Sequence, residues 1–337
     1  MVYGAIDLHL RYSHIRILDA DGRVLRERQV LTAPERLVAA FADVGAVRVL
    51  LESGTESEWV AQALESAGYT VVVADPNFAP MYGDMRRRVK TDRRDVAALA
   101  EANRRGWYRP AHRTSARQRA RRQVLRARRH LVQLRTGTIS LIRALLRQDG
   151  YRVGSGDSDT FPTRLARLRV PPALQATLAP LVRTLTHLIG EIGQLDRQLV
   201  DEARQDPVVR RLQTVPGIGP VVALTFRAFV DDVTRFRSAA HVSAALGLVP
   251  REDSSAERRH RGHLTKVGPR ELRSLLVQAA WVCWRAKRHR VLRSWADQLA
   301  ARRGKRIAVV GLARRLSRIL YAIWRDETEF TPSRVLA

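Results

Sequence analysis

Residues 47–54, VRVLLESG, decide how the first part of the chain folds. Apart from Arg48, the run from Val47 to Leu51 is apolar, which is typical of a strand buried on both faces of a parallel sheet. The run ends at Glu52, so a carboxylate stands at the carboxyl end of the predicted strand. In α/β proteins, functional groups gather at that edge of the sheet. The segment therefore predicts a sheet with a candidate site at the end of one strand.

The segments around this strand predict the order of a ribonuclease-H-like domain. The spacing of apolar residues and the turn residues between segments predict four more strands, at residues 2–9, 14–18, 24–31 and 70–74. One predicted helix opens at Pro34 and ends near Asp43, and another covers about 56–66. Three strands joined by hairpins, followed by alternating helix and strand, is the order of this fold. We therefore predict an α/β domain over residues 1–106.

Four acidic residues fall where such a domain can bring them together. Asp7 lies on the first predicted strand and Glu52 ends the fourth, while Asp92 and Asp95 share one face of a helix that Gly106 caps. Converging carboxylates repel one another unless divalent cations bind. Their oxygen atoms suit Mg²⁺ or Mn²⁺, and two such ions can clamp a phosphodiester. Each acid taken alone could equally be a helix cap or a surface charge.

The composition favours a polyanionic partner. The chain has 337 residues, 45% of them hydrophobic, and a formal net charge of +27. A membrane surface is the alternative polyanion, but the sequence has neither an amphipathic N-terminal anchor nor an apolar run of about 18 residues. The start does not resemble a secretory signal. The single cysteine, Cys283, excludes an intrachain disulfide and is expected to be a buried thiol. We predict a cytoplasmic, nucleoid-associated protein that handles nucleic acid and makes no membrane contact.

Residues 107–211 are predicted to be helical. Residues 113–148 contain eleven arginines and no acid, with apolar residues at helical spacing. Such a basic amphipathic helix lies along nucleic acid or forms a coiled coil, and unpaired arginines this close would repel one another. The candidate nucleic-acid contacts here are Arg117, Arg121, Arg122, Arg128 and Arg129. A linker rich in Gly, Ser and Asp follows at 150–162.

A heptad pattern follows the linker. Six leucine and isoleucine residues from Leu181 to Leu199 are spaced alternately by four and three positions, and Asp206-Pro207 ends the helix. The pattern predicts a coiled coil, or a two-helix hairpin with the preceding basic helix. It also suggests a homo-oligomer, either a dimer or a tetramer.

Residues 212–337 are predicted to form a mainly α-helical domain. The turn PGIGP at 216–220 resembles a helix-hairpin-helix, in which the backbone amides of Gly217 and Gly219 would contact phosphates; a plain helix–helix turn is the alternative. Two serines, Ser254 and Ser255, stand among cations between two predicted helices. A hydroxyl there could attack a bound phosphate, although a solvated basic loop is the simpler interpretation. The candidate phosphate-binding cations are Arg258, Arg259, Arg261 and Lys266.

Several of these motifs together resemble a known family. AIDLHL, LLESGTESEW and VKTDRRDVAALA are similar to the three acidic motifs of the DEDD-type transposases of bacterial insertion sequences, family one-hundred-ten. The turn PGIGP and residues 235–281 are similar to the C-terminal domain of the same family. The resemblance implies a RuvC-like N-terminal domain in which Asp7, Glu52, Asp92 and Asp95 bind divalent metal.

The resemblance also implies a serine nucleophile that forms a covalent phosphoserine link to DNA. In the family pattern the serine lies five residues after the proline of a Gly-Leu-x-Pro element, which leads from Pro250 to Ser255. Lys266 and the glycine two residues later match a Lys-x-Gly element. The family has glycine after the serine, where this chain has Ala256, so Ser254 stays an alternative to Ser255. Because serine and acids are in different predicted domains, a composite site would need these domains to dock within or between subunits.

The function implied is excision and insertion of an insertion sequence by metal-dependent DNA strand exchange. A structured RNA encoded by the element would pair with donor and target DNA. A RuvC-like nuclease that uses water, with Ser255 only binding phosphate, is the second hypothesis. The third is a relative that binds nucleic acid without catalysis.

Overall fold

The computed structural model describes residues 1–78, 81, 92–255, 258–286 and 290–332. Of residues 252–255 and 258–261 it describes the backbone alone. The chain divides into two compact units, Met1–Arg113 and Thr114–Ala337. The finer division at 106 and 211 stays a prediction.

The first unit is built on one mixed sheet. Its strands are β1 (Val2–Asp7), β2 (Tyr12–Leu18), β3 (Val24–Leu31), β4 (Val47–Glu52) and β5 (Thr70–Ala74). They lie in the order β3-β2-β1-β4-β5, with β1 antiparallel to β2 and parallel to β4. All five predicted strands are present, although β1 ends at Asp7 and β2 begins at Tyr12. The mixed order is compatible with a ribonuclease-H-like fold.

Helices cover both faces of this sheet. They are α1 (Pro34–Ala39), α2 (Ser57–Ser66) and α3 (Asp92–Arg105). Side chains of β4 alternate between the faces: Val49 and Leu51 pack in one buried cluster with residues of α1 and α2, and Leu50 packs in another with residues of α3. The predicted first helix extended to about Asp43, but α1 ends at Ala39, and the chain continues as a turn to Asp43, which has a positive φ of 66°.

A buried asparagine anchors α3 to the sheet. The side-chain amide of Asn103 donates to the carbonyl oxygens of Gly4 and Arg48, each at 2.7 Å. The Arg48 guanidinium in turn donates to the Asn103 side-chain oxygen at 2.9 Å. These bonds hold the C-terminal end of α3 near the start of β1, so that α3 runs antiparallel to β1. Its first turn therefore lies near the carboxyl end of β1.

The second unit is mostly helical. Its helices are α4 (Ala116–Gln148), α5 (Phe161–Ala166), α6 (Pro172–Gln205), α7 (Pro207–Leu212), α8 (Pro220–Val230), α9 (Ala239–Ala245), α10 (Arg270–Arg285), α11 (Arg290–Arg303) and α12 (Lys305–Arg325). One large core joins parts of α4 and α6 to α7–α12 and contains Cys283 and Trp324. Burial raises the pKa of the Cys283 thiol to about 11. The prediction of a buried Cys283 is confirmed.

The long helices α4 and α6 pack against each other in antiparallel orientation. Near the start of α4, Arg121 Nε lies 2.7 Å from Glu202 Oε1, near the end of α6. Near the other end, Ile142 belongs to one buried cluster with Leu178 and Leu185. This packing matches the two-helix alternative for the heptad pattern, whereas the coiled coil stays a prediction.

Between α9 and α10 the chain forms a two-stranded hairpin. Its strands β6 (Pro250–Ser255) and β7 (Arg258–Leu264) pair in antiparallel orientation. The sequence indicated only a loop there. The second unit is thus mainly α-helical with one small sheet.

Candidate functional site

Two of the predicted acids stand side by side at the carboxyl edge of the sheet. Ile6 on β1 is in register with Leu51 on β4, so the next residues, Asp7 and Glu52, end adjacent parallel strands. Both line a cavity of about 420 Å³ together with the loop after β4, including Glu56. The indole of Trp59 donates a hydrogen bond to the Glu56 carboxylate. The sheet thus presents an acid-lined cavity at this edge.

The start of α3 brings a third acid and two histidines to the same edge. His9 Nε2 lies 3.1 Å from Asp7 Oδ2 and 3.7 Å from Asp92 Oδ1. His14 Nε2 lies 3.6 Å from Asp92 Oδ2. One ligand atom from each of Asp7, His9 and Asp92 can be chosen so that all three lie within 4.8 Å of one another. This spacing suits coordination of a single cation by these three residues.

The acids interact electrostatically. Burial raises the pKa of Asp7 above its ordinary value; His9 opposes this rise, and the charges of Asp95 and Asp92 add to it. Asp95 follows Asp92 by one turn in α3 and therefore lies on the same side of the helix. A divalent cation would relieve this repulsion, and carboxylate oxygens are the ligands that Mg²⁺ and Mn²⁺ prefer. The residues at this edge fit such an ion.

Sequence reasoning missed His9 and His14. His9 follows Asp7 by two positions, a local signal that could have been used. His14 faces Asp7 across the β1–β2 ladder, so its place depends on the strand register. Glu56 was also missed, because a residue at the start of a helix carries no signal for a cavity in the sheet.

The structure places the backbone of both candidate serines at the end of the hairpin. Ser255 pairs with Arg258 and Ser254 with Arg259 in the ladder. The side chains of these residues and of Arg261 lie outside the described part of the structure, as does the whole of Ala256.

The Gly-Leu-x-Pro element at 247–250 and the Lys-x-Gly element at 266–268 lie on either side of the serines and form the base of the hairpin. The amide of Thr265 donates to the Val249 carbonyl at 3.0 Å, and the amide of Lys266 donates to the Gly247 carbonyl at 3.3 Å. Gly268 has a φ of +77°, and a Cβ there would come within 2.0 Å of the Ala245 carbonyl oxygen. The glycine is therefore required by close packing. The side chain of Lys266 is exposed.

The predicted arginine surface on α4 is largely paired within the protein. Arg121 has no exposed side-chain surface and lies 3.0 Å from Asp206 in addition to its contact with Glu202. Such a guanidinium cannot reach a phosphate, so Arg121 is not part of a nucleic-acid surface. The expectation that these arginines are unpaired is wrong for several of them.

The remaining arginines of this set differ in exposure. Arg122 is half-buried and donates to the Ala228 carbonyl oxygen at 2.7 Å. Arg128 pairs with Asp196, and Arg129 lies 3.2 Å from Glu271. Arg117 has 63% of its side chain exposed, more than either Arg128 or Arg129. Its nucleic-acid contact stays a prediction.

The PGIGP turn joins α7 to α8. Gly217 has a φ of +82°, and a Cβ there would come within 2.4 Å of the Ala279 carbonyl oxygen on α10. Packing against α10 is therefore a sufficient reason for this glycine. Gly219 precedes α8, and a Cβ there would meet no atom of the other described residues within 4 Å, its two chain neighbours apart. The phosphate-binding role of the two glycines stays a prediction.

Comparison with known proteins supports the motifs in both units. Residues 5–149, which contain all four predicted acids, match a family model described as a transposase of the DEDD type of IS110. Residues 209–295 match the model of the transposase IS116/IS110/IS902 family. A "Probable family 20 transposase" of Pseudomonas aeruginosa is 31% identical, over 97% of this chain and 98% of the relative. The chain belongs to the IS110/IS116 family of transposases.

Other relatives are similar over most of their length. The "Transposase for insertion sequence element IS1111A" of Coxiella burnetii is 29% identical over 92% of this chain and 86% of that protein. The corresponding protein of element IS1328 of Yersinia enterocolitica is 26% identical over 97% of both chains. Transposases act on DNA, and DEDD domains generally use a divalent metal, which agrees with the acidic cluster of this transposase. Among its described residues, no helix is long and apolar enough to cross a membrane.

Proposed function

We propose that this transposase excises and inserts its own element by DNA strand exchange that depends on Mg²⁺ or Mn²⁺ and proceeds through a phosphoserine link. A structured RNA encoded by the element guides the choice of donor and target DNA. The convergence of acids from β1, β4 and α3 at one edge of the sheet carries the proposal. The net charge of +27 supports nucleic-acid partners of either kind.

In this proposal Asp7, Glu52, Asp92 and Asp95 hold the metal. A bound divalent ion would neutralise charge on phosphodiester oxygens and favour deprotonation of an attacking hydroxyl. The hydrogen bond from His9 restrains the orientation of the Asp7 carboxylate. His9 is therefore a positioning residue and a candidate additional ligand.

Ser255 is the proposed nucleophile. Its Oγ attacks a DNA phosphorus, a new ester bond forms, and the bond from phosphorus to the oxygen of one strand breaks. The proton lost by the serine is transferred to the oxygen of the released strand, which leaves as a hydroxyl. Arg258, Arg259 and Arg261 would stabilise charge on the phosphate oxygens. The pairing of Ser255 with Arg258 in the hairpin supports this assignment.

Other cations would bind the nucleic acid outside the reacting phosphate. Lys266 and Arg117 are exposed and supply positive charge; Arg117 lies 3.8 Å from Asp206 but keeps 63% of its side chain exposed. The amides of Gly217 and Gly219 would contact the backbone of the duplex without reading its sequence. These contacts would set orientation and salt dependence.

The deciding experiment looks for protein attached covalently to DNA. The protein is incubated with the ends of its element, the element's RNA and Mg²⁺, and the mixture is denatured before electrophoresis. Wild type is compared with Ser255→Ala and its neighbour Ser254→Ala, and Asp7→Asn is compared with the exposed turn residue variant Asp21→Asn. We expect the adduct to be lost in Ser255→Ala and Asp7→Asn alone.

Each other outcome has a defined meaning. Cleaved DNA without an adduct would contradict the serine mechanism and favour a nuclease that uses water. An adduct that survives Ser255→Ala but not Ser254→Ala would move the role to the neighbouring serine. A thermal shift on adding Mn²⁺, present in wild type and absent in Asp7→Asn, tests metal binding independently of activity; no shift in wild type would favour a non-catalytic relative.

A further inference from the structure

A basic pocket lies at the C-terminal end of α4, apart from every residue given a role above. Its volume is about 440 Å³, within the range of small-molecule sites. The pocket is lined by Arg143, Arg147, Tyr151, Arg152, Val153 and Ser155. It thus combines three guanidinium groups, one phenol ring and one serine hydroxyl in a concave surface.

The end of α4 explains why these residues meet. Gly150 has a φ of +81° and donates its amide to the Arg147 carbonyl at 3.2 Å, while Tyr151 donates to the Leu146 carbonyl at 2.8 Å. These two bonds form a Schellman motif, which needs glycine at the left-handed position. The motif reverses the chain and brings Tyr151 and Arg152 beside the last turn of α4.

The walls of the pocket are held by packing. Tyr151 and Val153 pack against a buried cluster that includes Ile142, Leu146 and Phe161. The guanidinium carbon of Arg143 lies 5.3 Å from the centroid of the Phe161 ring. Because these contacts fix both the helix end and the segment after it, the pocket is formed before any ligand arrives.

The three pocket arginines form a local excess of positive charge. Arg143 and Arg147 stand four residues apart on one helical face, where like charges repel. Among the described residues, no carboxylate lies within 4.0 Å of the guanidinium nitrogens of Arg143, Arg147 or Arg152. The facing part of α6, residues 172–190, contains no Asp or Glu at all. A concave site with this charge is suited to an anion.

We propose that this pocket binds one nucleotide of a single-stranded nucleic acid. The phosphate contacts Arg147 and Arg152, the base stacks on Tyr151, and Ser155 hydrogen-bonds the sugar or base edge. Arginines combined with an aromatic platform are typical of single-strand binding. In a duplex both faces of each base are covered by its neighbours, so Tyr151 could not stack on one. This proposal rests on the proposed function in one respect, namely that the partner is a nucleic acid.

The test measures binding by fluorescence anisotropy with full-length protein at one fixed salt concentration. The probes are a labelled single-stranded RNA, a DNA strand of the same sequence, and the DNA duplex. The pocket variants are Arg147→Ala/Arg152→Ala and Tyr151→Ala. The double variant Arg302→Ala/Arg303→Ala is the control, because it removes the same charge from exposed arginines at the end of α11. Tyr151→Phe keeps the aromatic ring and controls for stacking.

We expect the double pocket variant to bind single strands at least tenfold more weakly, with duplex binding reduced no more than in the control. Tyr151→Ala should lose about five- to tenfold of single-strand affinity, and Tyr151→Phe should retain it. A loss confined to RNA would assign the pocket to RNA, and an equal loss for both strands to any unpaired nucleotide.

Equal weakening in pocket and control variants, or for single strands and duplex, would overturn the proposal, since general charge would then explain binding. Unchanged melting temperatures verify folding of each variant. All pocket variants keep Ser255 and the four acids. Adduct formation on element DNA therefore tests the proposed function separately from this pocket.

Discussion

The two halves of α4 have the same kind of sequence and different surroundings. Both are rich in arginine and contain no acid. In the first half, Arg121 is buried between Glu202 and Asp206, and Arg128 pairs with Asp196. At the far end, Arg147 remains exposed and lines the basic pocket. Arginine content alone therefore does not identify the nucleic-acid surface.

The orientation of α6 produces this difference. Because α6 runs antiparallel to α4, Asp196 and Glu202 in its second half reach arginines of the first half of α4. Its first half, 172–190, has no acid and faces the end of α4. The first half of α4 is thus part of the protein's internal framework, and its end is available for a ligand.

The largest expected effect is on the buried pair. Arg121→Ala leaves Asp206 buried without its closest cation, and breaking a buried pair in this way costs about 3–5 kcal/mol of unfolding free energy. Urea denaturation measures the loss. The exposed Arg126→Ala, on the same helix, should change stability by less than about 0.5 kcal/mol. Similar values for the two variants would contradict the contrast between buried and exposed arginines.

A smaller effect is expected at Asp206, together with a pH dependence. Burial would raise the pKa of Asp206, but hydrogen bonds from Arg121 and from the Val209 amide, with the charges of Arg121 and Arg227, lower it below its ordinary value of 3.8. The stabilisation is therefore present above the ordinary pKa and lost as the pH falls through the lowered one. Asp206→Asn keeps a capping oxygen but should lose about 1.5–3 kcal/mol at pH 7.

Urea denaturation of both proteins between pH 7 and pH 2 checks this prediction. The difference in stability between wild type and Asp206→Asn should shrink below about pH 4, since wild type loses the charge there. A difference that stays constant down to pH 2 would mean that the ionised carboxylate is not what stabilises this helix junction.

The pair between Arg128 and Asp196 should contribute less. The two side chains are 22% and 38% exposed, so water screens their attraction. We expect a coupling energy of about 0.2–1 kcal/mol from a double-mutant cycle with Arg128→Ala and Asp196→Ala. A coupling as large as the effect of Arg121→Ala would show that exposure does not separate these two pairs.

The smallest effect is expected at the basic pocket. Arg147→Ala relieves the repulsion with Arg143, but it also removes a cation from the last turn of α4, where it interacts favourably with the helix dipole. The two effects largely cancel, so the free energy of unfolding should change by less than about 0.5 kcal/mol at low salt. The change should shrink on raising the ionic strength, because salt screens exposed charges. A loss above about 1 kcal/mol would mean that Arg147 has a partner in the folded protein.

Local patterns predicted most of the first unit. The run from Val47 to Leu51 is β4, residues 70–74 are β5, and the helix with Asp92 and Asp95 ends before Gly106 as expected. These features depend on side-chain period and capping within a few residues. The hairpin of β6 and β7 was missed, because a strongly polar segment without alternation carries no signal for paired strands. Its ladder is held at the base by Gly247 and Lys266.

The candidate site was predictable in its acids and not in its histidines. Asp7 lies on the first predicted strand and Glu52 ends the fourth, so their proximity follows from the order of elements in a ribonuclease-H-like fold. His14 reaches the site only through the β1–β2 register and the position of α3, which Asn103 anchors to the sheet. These are long-range contacts that no short pattern contains.

The sequence by itself determined the fold class of each unit, the four acids, the serines and the excess of positive charge. Only the tertiary structure decided which of these positive charges are paired within the protein and which are exposed. Coulomb attraction depends on separation in space, and the acid nearest to Arg121 is 81 residues away along the chain at Glu202. Antiparallel packing of α4 on α6 brings those charges together and places the acid-free residues 172–190 of α6 opposite the far end of α4.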